Sequence, residues 1–170
     1  MIQQARKIHN DKKSFCIVDA TKTTGINLPS ESTINFDRAA FLFSVQDIDN
    51  AEIAIKNVAD ILKPKGEMVI FMLHPMFRVP RMSGWGEDHK RKIKFRRMDI
   101  YKTTKVIPLP QKTSVGNVTS FFYHRPLDYY INSLMQAGLL LIEMKEVYST
   151  DKPPESEFPH FLLLRAKKIQ

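Results

Sequence analysis

The sequence predicts an open α/β sheet, and three observations carry that expectation. Two apolar runs, FDRAAFLFSV (36–45) and GEMVIFML (66–73), bracket an amphipathic segment, and strand, helix, strand at this spacing is a right-handed parallel crossover. The first run is apolar almost without alternation, as in a parallel strand covered on both faces. Nearer the C-terminus a second amphipathic segment precedes two more strand-like runs, LLLIEMKEVY and FLLLRAKK. With 170 residues and 43% hydrophobic content, residues 1–170 are expected to form a single domain with a sizeable core.

Taken in order, Ile2, Ala5 and Ile8 recur at roughly helical spacing and predict a short helix over residues 2–10. Phe15 to Val18 is a continuous apolar run of strand length, with Cys16 inside it as a small buried hydrophobe. Residues 22–35, rich in Thr, Ser, Asn, Gly and Pro, read as a loop. After the strand at 36–45, Asp49 is the expected helix cap with Glu52 three residues on. Ala51, Ala54, Ile55, Val58, Ile61 and Leu62 form the helix's apolar face, and Pro64 with Gly66 ends it.

From His74 to Tyr123 the pattern changes. HPMFRVPRMSGWGED has no period, whereas IKFRRMDIYK and VTSFFYH read as strands flanking a polar turn region that contains Gly116 and Asn117. Residues at about 75–123 are therefore expected to form a lid-like insertion built on a hairpin. Pro126 suits the first turn of a helix whose residues Leu127, Tyr130, Ile131 and Leu134 share a face, with Gly138 as its stop. The Pro-rich DKPPESEFP joins the last two strands.

Composition narrows the function classes. A single cysteine excludes an internal disulfide framework and points to a reducing, cytoplasmic setting. The polar start MIQQARK and the lack of any apolar run near the roughly 18 residues of a bilayer span argue against secretion and membrane crossing. Five histidines and one cysteine show no HxxxH or CxxC spacing, so no metal site is expected. A GxSxG context for a serine nucleophile is missing as well. The net charge is +8, and part of the excess sits in HKRKIKFRR, where Lys90, Arg91, Lys92, Lys94, Arg96 and Arg97 surround Phe95. That run reads either as a solvated hairpin face or as a surface for phosphate with Phe95 available to stack on a base.

In order and spacing these pieces resemble the later part of a class I S-adenosylmethionine-dependent methyltransferase, over essentially the whole chain. MIQQARK resembles the helix after the family's second strand, IVDAT the end of the third, and FDRAAFLFSVQDID the fourth strand and its loop. ILKPKGEMVIFMLHP resembles the passage into the fifth strand, and FYHRPLDYYINSLMQAGLLLIE the last helix and the antiparallel pair. The resemblance implies an α/β, Rossmann-like class I methyltransferase fold, N-terminally truncated, lacking the first two strands and first helix. It also implies a hairpin insertion, an antiparallel C-terminal strand pair, S-adenosylmethionine as cofactor and methyl transfer to a small-molecule acceptor.

By the same resemblance Asp19 accepts a hydrogen bond from the adenine amine, and the backbone N–H at Ala20 reaches a ring nitrogen. Leu42, Phe43 and Gln46 fall where the family lines the methionine part of the cofactor, with plain core packing as the alternative for Leu42 and Phe43. His74, at a strand's carboxyl end, is a candidate proton acceptor or a turn residue. Tyr123, His124 and Arg125 form a second polar cluster: His124 as a further catalytic candidate, Tyr123 and Arg125 as substrate contacts. For Arg125 the alternative is an ion pair with a surface carboxylate.

The family's Gly-rich turn and the acidic residue ending its second strand have no counterpart here. In the family's strand order (three, two, one, four, five, seven, six) the third and fourth strands then stand apart. The resemblance thus leaves four outcomes: the third strand pairs directly with the fourth, a second chain or a second copy completes the sheet, that edge stays poorly ordered, or Met1 is an internal methionine. The competing reading is a non-catalytic nucleic-acid-binding or scaffold module derived from a methyltransferase.

Overall fold

A computed structural model describes Lys7 and residues 15–22, 36–114, 116–148 and 152–170. Its centre is a four-stranded sheet of β1 (Phe36–Leu42), β2 (Leu62–Leu73), β7 (Leu139–Tyr148) and β8 (Pro159–Lys168), in the order β1-β2-β8-β7. The helix α1 (Ala51–Asp60) carries the chain from β1 to β2, which pair in parallel with Phe41 opposite Ile70 and Leu42 opposite Phe71. β8 then enters antiparallel between β2 and β7. This is the four, five, seven, six half of the expected order.

α1 and α2 (Leu127–Gln136) supply the core with Ala51, Ala54, Ile55, Ala59, Tyr130 and Leu134. The sheet answers with Phe41, Met68, Ile70, Met72, Leu162, Leu164 and Ala166. Each buried Leu, Ile or Met contributes roughly 1.5–3 kcal/mol relative to exposure, so this layer of helices on sheet dominates stability. Alternate residues on the opposite face, among them Val69, Phe71, Phe161 and Leu163, are only half-buried. The expectation that residues 36–45 are buried on both faces is therefore corrected: β1 ends at Leu42 and buries only Phe41 fully. Burial on a strand's second face depends on what packs there, which its own composition does not specify.

Asn50 rather than Asp49 caps α1, without a side-chain bond, and the helix ends at Asp60. Pro64 and Gly66 do not stop it but lie inside β2, where the register jumps from Phe36 opposite Leu62 to Arg38 opposite Glu67. Lys65 in that bulge has a φ of 65°, and a Cβ at Gly66 would stand 2.9 Å from the Lys63 carbonyl oxygen. The Lys168 ammonium, at the end of β8, closes the helix terminus by donating to the carbonyls of Ala59 (2.9 Å) and Leu62 (2.8 Å). Pro126 occupies the cap position of α2, one residue before its first turn, and Gly138 (φ 74°) ends that helix as expected.

The insertion holds two hairpins instead of one. β3 (Ser83–Asp88) pairs with β4 (Ile93–Met98), and β5 (Lys105–Thr113) pairs with β6 (Gly116–His124). The two strands read from the sequence are thus not each other's partners. Glycines hide β3: the Phe95 ring leans across Gly86, where a Cβ would be 2.5 Å from Cζ. Prolines 108 and 110 hide β5, which tolerates them because each strand of a two-stranded ribbon keeps a free edge. Val79, Ile107 and Phe122 form a small second core with Leu73, fastening the insertion to the end of β2.

Residues Phe15 to Val18 form no strand, and Cys16 is exposed, against expectation. An apolar run becomes a strand only where another strand forms a ladder with it, and no described strand does so here. Of the helix expected over residues 2–10 only Lys7 is described, in helical conformation; the loop expected over 22–35 lies outside the described residues beyond Lys22. No helix among the described residues is long and apolar enough to cross a membrane.

Candidate functional site

β1 and β2 end side by side, and a 3-10 turn at Val45–Asp47 follows β1. Gln46 is buried there and bonds to the last residue of β2. Its Oε1 accepts from the Leu73 N–H (3.0 Å) and its Nε2 donates to the Leu73 carbonyl (3.2 Å). It behaves as an extra rung between the strand ends.

Arg125 is buried just beyond β6. Its guanidinium donates to the carbonyls of Ile48 (3.0 Å), Asp49 and Tyr123 (3.5 Å). It also lies 5.4 Å from the Tyr123 ring centroid and 4.9 Å from that of Tyr129. No carboxylate among the described residues pairs with it: carbonyl oxygens and two ring faces compensate the charge, so the alternative of a surface ion pair is corrected. The Tyr130 hydroxyl stands beside Arg125 and Gln46 without a well-formed hydrogen bond, and burial pushes its pKa up to about 12.

His124 is fully buried. Its Nε2 meets the Tyr101 carbonyl at 2.9 Å, so that nitrogen carries the proton and donates. Nδ1 is then a bare lone pair with no partner among the described residues. Burial, helped by the charge of Arg125, holds this histidine below its ordinary pKa, hence neutral.

His74 is buried as well, but both ring nitrogens are occupied. Nδ1 accepts from the Met76 N–H (3.2 Å), which places the proton on Nε2, 3.2 Å from Glu146 Oε1. Glu146 in turn accepts from the Tyr148 hydroxyl (2.8 Å). Burial lowers the His74 pKa more than Glu146 raises it. Of its two expected roles, proton acceptor and turn residue, the geometry matches the second.

Asp19 is exposed. Its Oδ1 accepts from the Thr21 N–H (2.9 Å) and hydroxyl (2.7 Å), and these bonds lower its pKa, so it is ionised. The turn is tethered by the buried Asn57, whose Nδ2 donates to the carbonyls of Ala20 and Lys22, both at 2.8 Å. Asn57 was not singled out from the sequence, although an Asn on the apolar stripe of α1 between Ala54 and Ile61 is a readable signal. Asn57 lies about 9 Å along the helix from Ala51, at 1.5 Å per residue. The turn at Asp19 and Ala20 is thus fixed against α1 at Asn57. Leu42 (65% exposed) and Phe43 (48%) are not core residues. The Phe43 ring stands edge-on to Phe71 (4.9 Å) and Phe161 (5.4 Å).

The basic run is divided in the structure. Lys94 pairs with Glu155 (3.6 Å), Arg97 with Asp99 (3.1 Å), and Arg96 turns inward, leaving Lys90, Arg91 and Lys92 around the hairpin turn. No group of three or more His, Cys, Asp or Glu side chains among the described residues gathers to hold a metal.

No protein-family model and no curated protein matches the sequence. Solved structures do. An S-adenosylmethionine-dependent methyltransferase from Mesorhizobium loti superposes with a TM-score of 0.72 at 24% identity, over 99% of this chain and 76% of that one. The chain has the class I methyltransferase fold. A Listeria monocytogenes protein crystallised as an S-adenosylmethionine-dependent methyltransferase gives 0.59 at 18% identity, over 83% of this chain and 65% of that one. The Haloferax volcanii methyltransferase chain of a complex with a methyltransferase activator gives 0.57 at 16% identity, over 100% of this chain and 68% of that one. On a class I methyltransferase fold, ligands lie outside the carboxyl ends of the parallel strands. There this chain offers an apolar lip of Leu42 and Phe43 and the buried residues Gln46, His124 and Arg125.

Proposed function

We propose that the chain acts in an S-adenosylmethionine-dependent methyltransferase whose methyl acceptor is a small molecule. The observation that carries this reading is the sheet order, with β8 antiparallel between β2 and β7, above which the polar cluster sits at the carboxyl ends of β1 and β2. S-adenosylmethionine supplies an already activated methyl group, so the protein's tasks are alignment and, for acceptors that shed a proton, its removal. His124 is the better proton acceptor of the two histidines, because its Nδ1 lone pair is unclaimed and its ring is neutral. Leu42 and Phe43 offer apolar surface to the methionine chain, and Asp19 with Ala20 would serve adenine. The outer edge of β1 has no partner among the described residues, and a strand from a second chain or a second copy is proposed to pair there.

Calorimetry with S-adenosylhomocysteine tests the reading. Saturable one-to-one binding, weakened by Asp19→Ala, is the expected result. The second reading, a nucleic-acid-binding module, rests on the hairpin turn at Lys90, Arg91 and Lys92. Steeply salt-dependent oligonucleotide binding with no affinity for S-adenosylhomocysteine would favour it instead.

A further inference from the structure

Directly beyond the carboxyl end of β2 a cleft of about 290 Å³ opens between the loop that follows His74 and the β3–β4 hairpin, lined by Leu73, Arg78, Ser83, Gly84 and Arg96 among others. No carboxylate lines it, and two guanidinium groups do. Arg96 is partly committed: its Nη2 donates to the Phe77 carbonyl and to Ser83 Oγ, and its guanidinium lies 5.4 Å from the Trp85 ring centroid. Its Nε is buried and has no partner among the described residues. Arg78 is fixed through its backbone, whose N–H donates to the His74 carbonyl (2.9 Å), yet its side chain makes no hydrogen bond or ion pair among the described residues. Burial first, and the neighbouring Arg78 charge second, hold the Arg96 pKa below its ordinary value, and no carboxylate lines the cleft to offset the two charges.

Planar guanidinium groups match the two oxygens of a carboxylate or phosphate, and charge-assisted bonds of this kind are about twice as strong as neutral ones. We propose that this cleft binds an oxyanion, a carboxylate or phosphate group carried by the methyl acceptor, between Arg78 and Arg96. Naming the acceptor as the ligand rests on the methyltransferase reading; the anion site does not. A cleft of this size is at the small end for ligand pockets, so it takes the anionic end of a molecule whose reacting end reaches toward β1 and His124.

The test is calorimetric titration of the full chain with inorganic phosphate and, separately, acetate, against chloride at matched ionic strength. Saturable binding of at least one is expected, and whichever binds tighter tells phosphate from carboxylate. Arg78→Gln, which removes no internal contact, should weaken it roughly 10- to 100-fold, as loss of one charged hydrogen-bonding partner does. The triple variant Lys90→Ser, Arg91→Ser, Lys92→Ser should bind as the parent does. Absence of saturable binding, equal binding by Arg78→Gln, or loss of binding in the triple variant overturns the proposal. S-adenosylhomocysteine is titrated in parallel, and Arg78→Gln should leave that titration unchanged. If the parent binds phosphate or acetate but not S-adenosylhomocysteine, the anion site stands and the identification of its ligand as a methyl acceptor falls.

Discussion

Arg125 makes an unusual demand on the fold, because its charge is buried without a carboxylate. Replacing it by lysine keeps the charge and its desolvation cost but removes the planar fork. One ammonium cannot serve the carbonyls of Ile48, Asp49 and Tyr123 while lying against two aromatic rings. Losing two charged hydrogen bonds at about 1.5–3 kcal/mol each, with partial replacement by water at the exposed Asp49, gives about 3 kcal/mol for Arg125→Lys. Arg125→Met loses the same bonds and the ring contacts, yet also sheds a desolvation penalty that is several kcal/mol for a buried ion, leaving a net loss of about 1–2 kcal/mol. The conservative exchange is thus the more damaging one. Urea unfolding followed by circular dichroism measures both, and thermal midpoints should fall by roughly 6–12 °C for the lysine variant. A methionine variant less stable than the lysine variant would refute the claim that the buried cation is a net burden offset by its carbonyl contacts.

Other outcomes follow from single contacts. Asn57→Ala removes two 2.8 Å bonds to the Asp19 turn, worth about 1–2 kcal/mol together, and should speed tryptic cleavage after Lys22; an unchanged cleavage rate counts against the tether. Both His74 and His124 are held below the ordinary histidine value of 6.5, so the unfolded chain binds more protons in acid. Their contribution is complete above that value and is lost as pH falls through each folded-state pKa. Urea midpoints should therefore drop between pH 7 and pH 5 (on the order of two units spanning the histidine range) and drop less in His124→Gln. A pH-independent midpoint would contradict the burial argument. Gly138→Ala places a Cβ at φ 74° and should cost about 1–2 kcal/mol, visible as a lower urea midpoint with an unchanged slope; no shift would mean that the α2 terminus adjusts without strain.

Helical and strand periodicity were readable wherever local chemistry decides the outcome. The Ala54, Ile55, Val58 stripe, Gly138 and the run FLLLRAKK each specify an element with little help from distant residues. Reading failed where a partner decides. Gly84 and Gly86 conceal β3, and at Gly86 it is Phe95 from the next strand that supplies the packing a side chain would normally give. The run at Phe15 to Val18 has strand composition but forms no ladder with any described strand. The site shows the same division. Gln46, His124 and Arg125 were picked out as polar residues at element ends, but composition could not say that Gln46 and Arg125 spend their donors on the protein's own carbonyls. Asn57 carried a weak local signal and Arg78 none, and only the positions of Ala20 and Arg96 give them meaning.

The place of β8 in the sheet also orders events in time. Of the four strands it is the last to leave the ribosome, yet its neighbours are β2 and β7. Until residues 159–168 emerge, β2 has no partner on that side and the α1 terminus lacks the Lys168 ammonium, about a hundred residues away in the chain. Contacts of such sequence separation form slowly, because loop closure must precede any gain from them. The nascent chain therefore exposes the β8-facing edge of β2 while the residues between Leu73 and Pro159 are made, and that interval, more than the finished fold, is when it is open to mispairing with other strands.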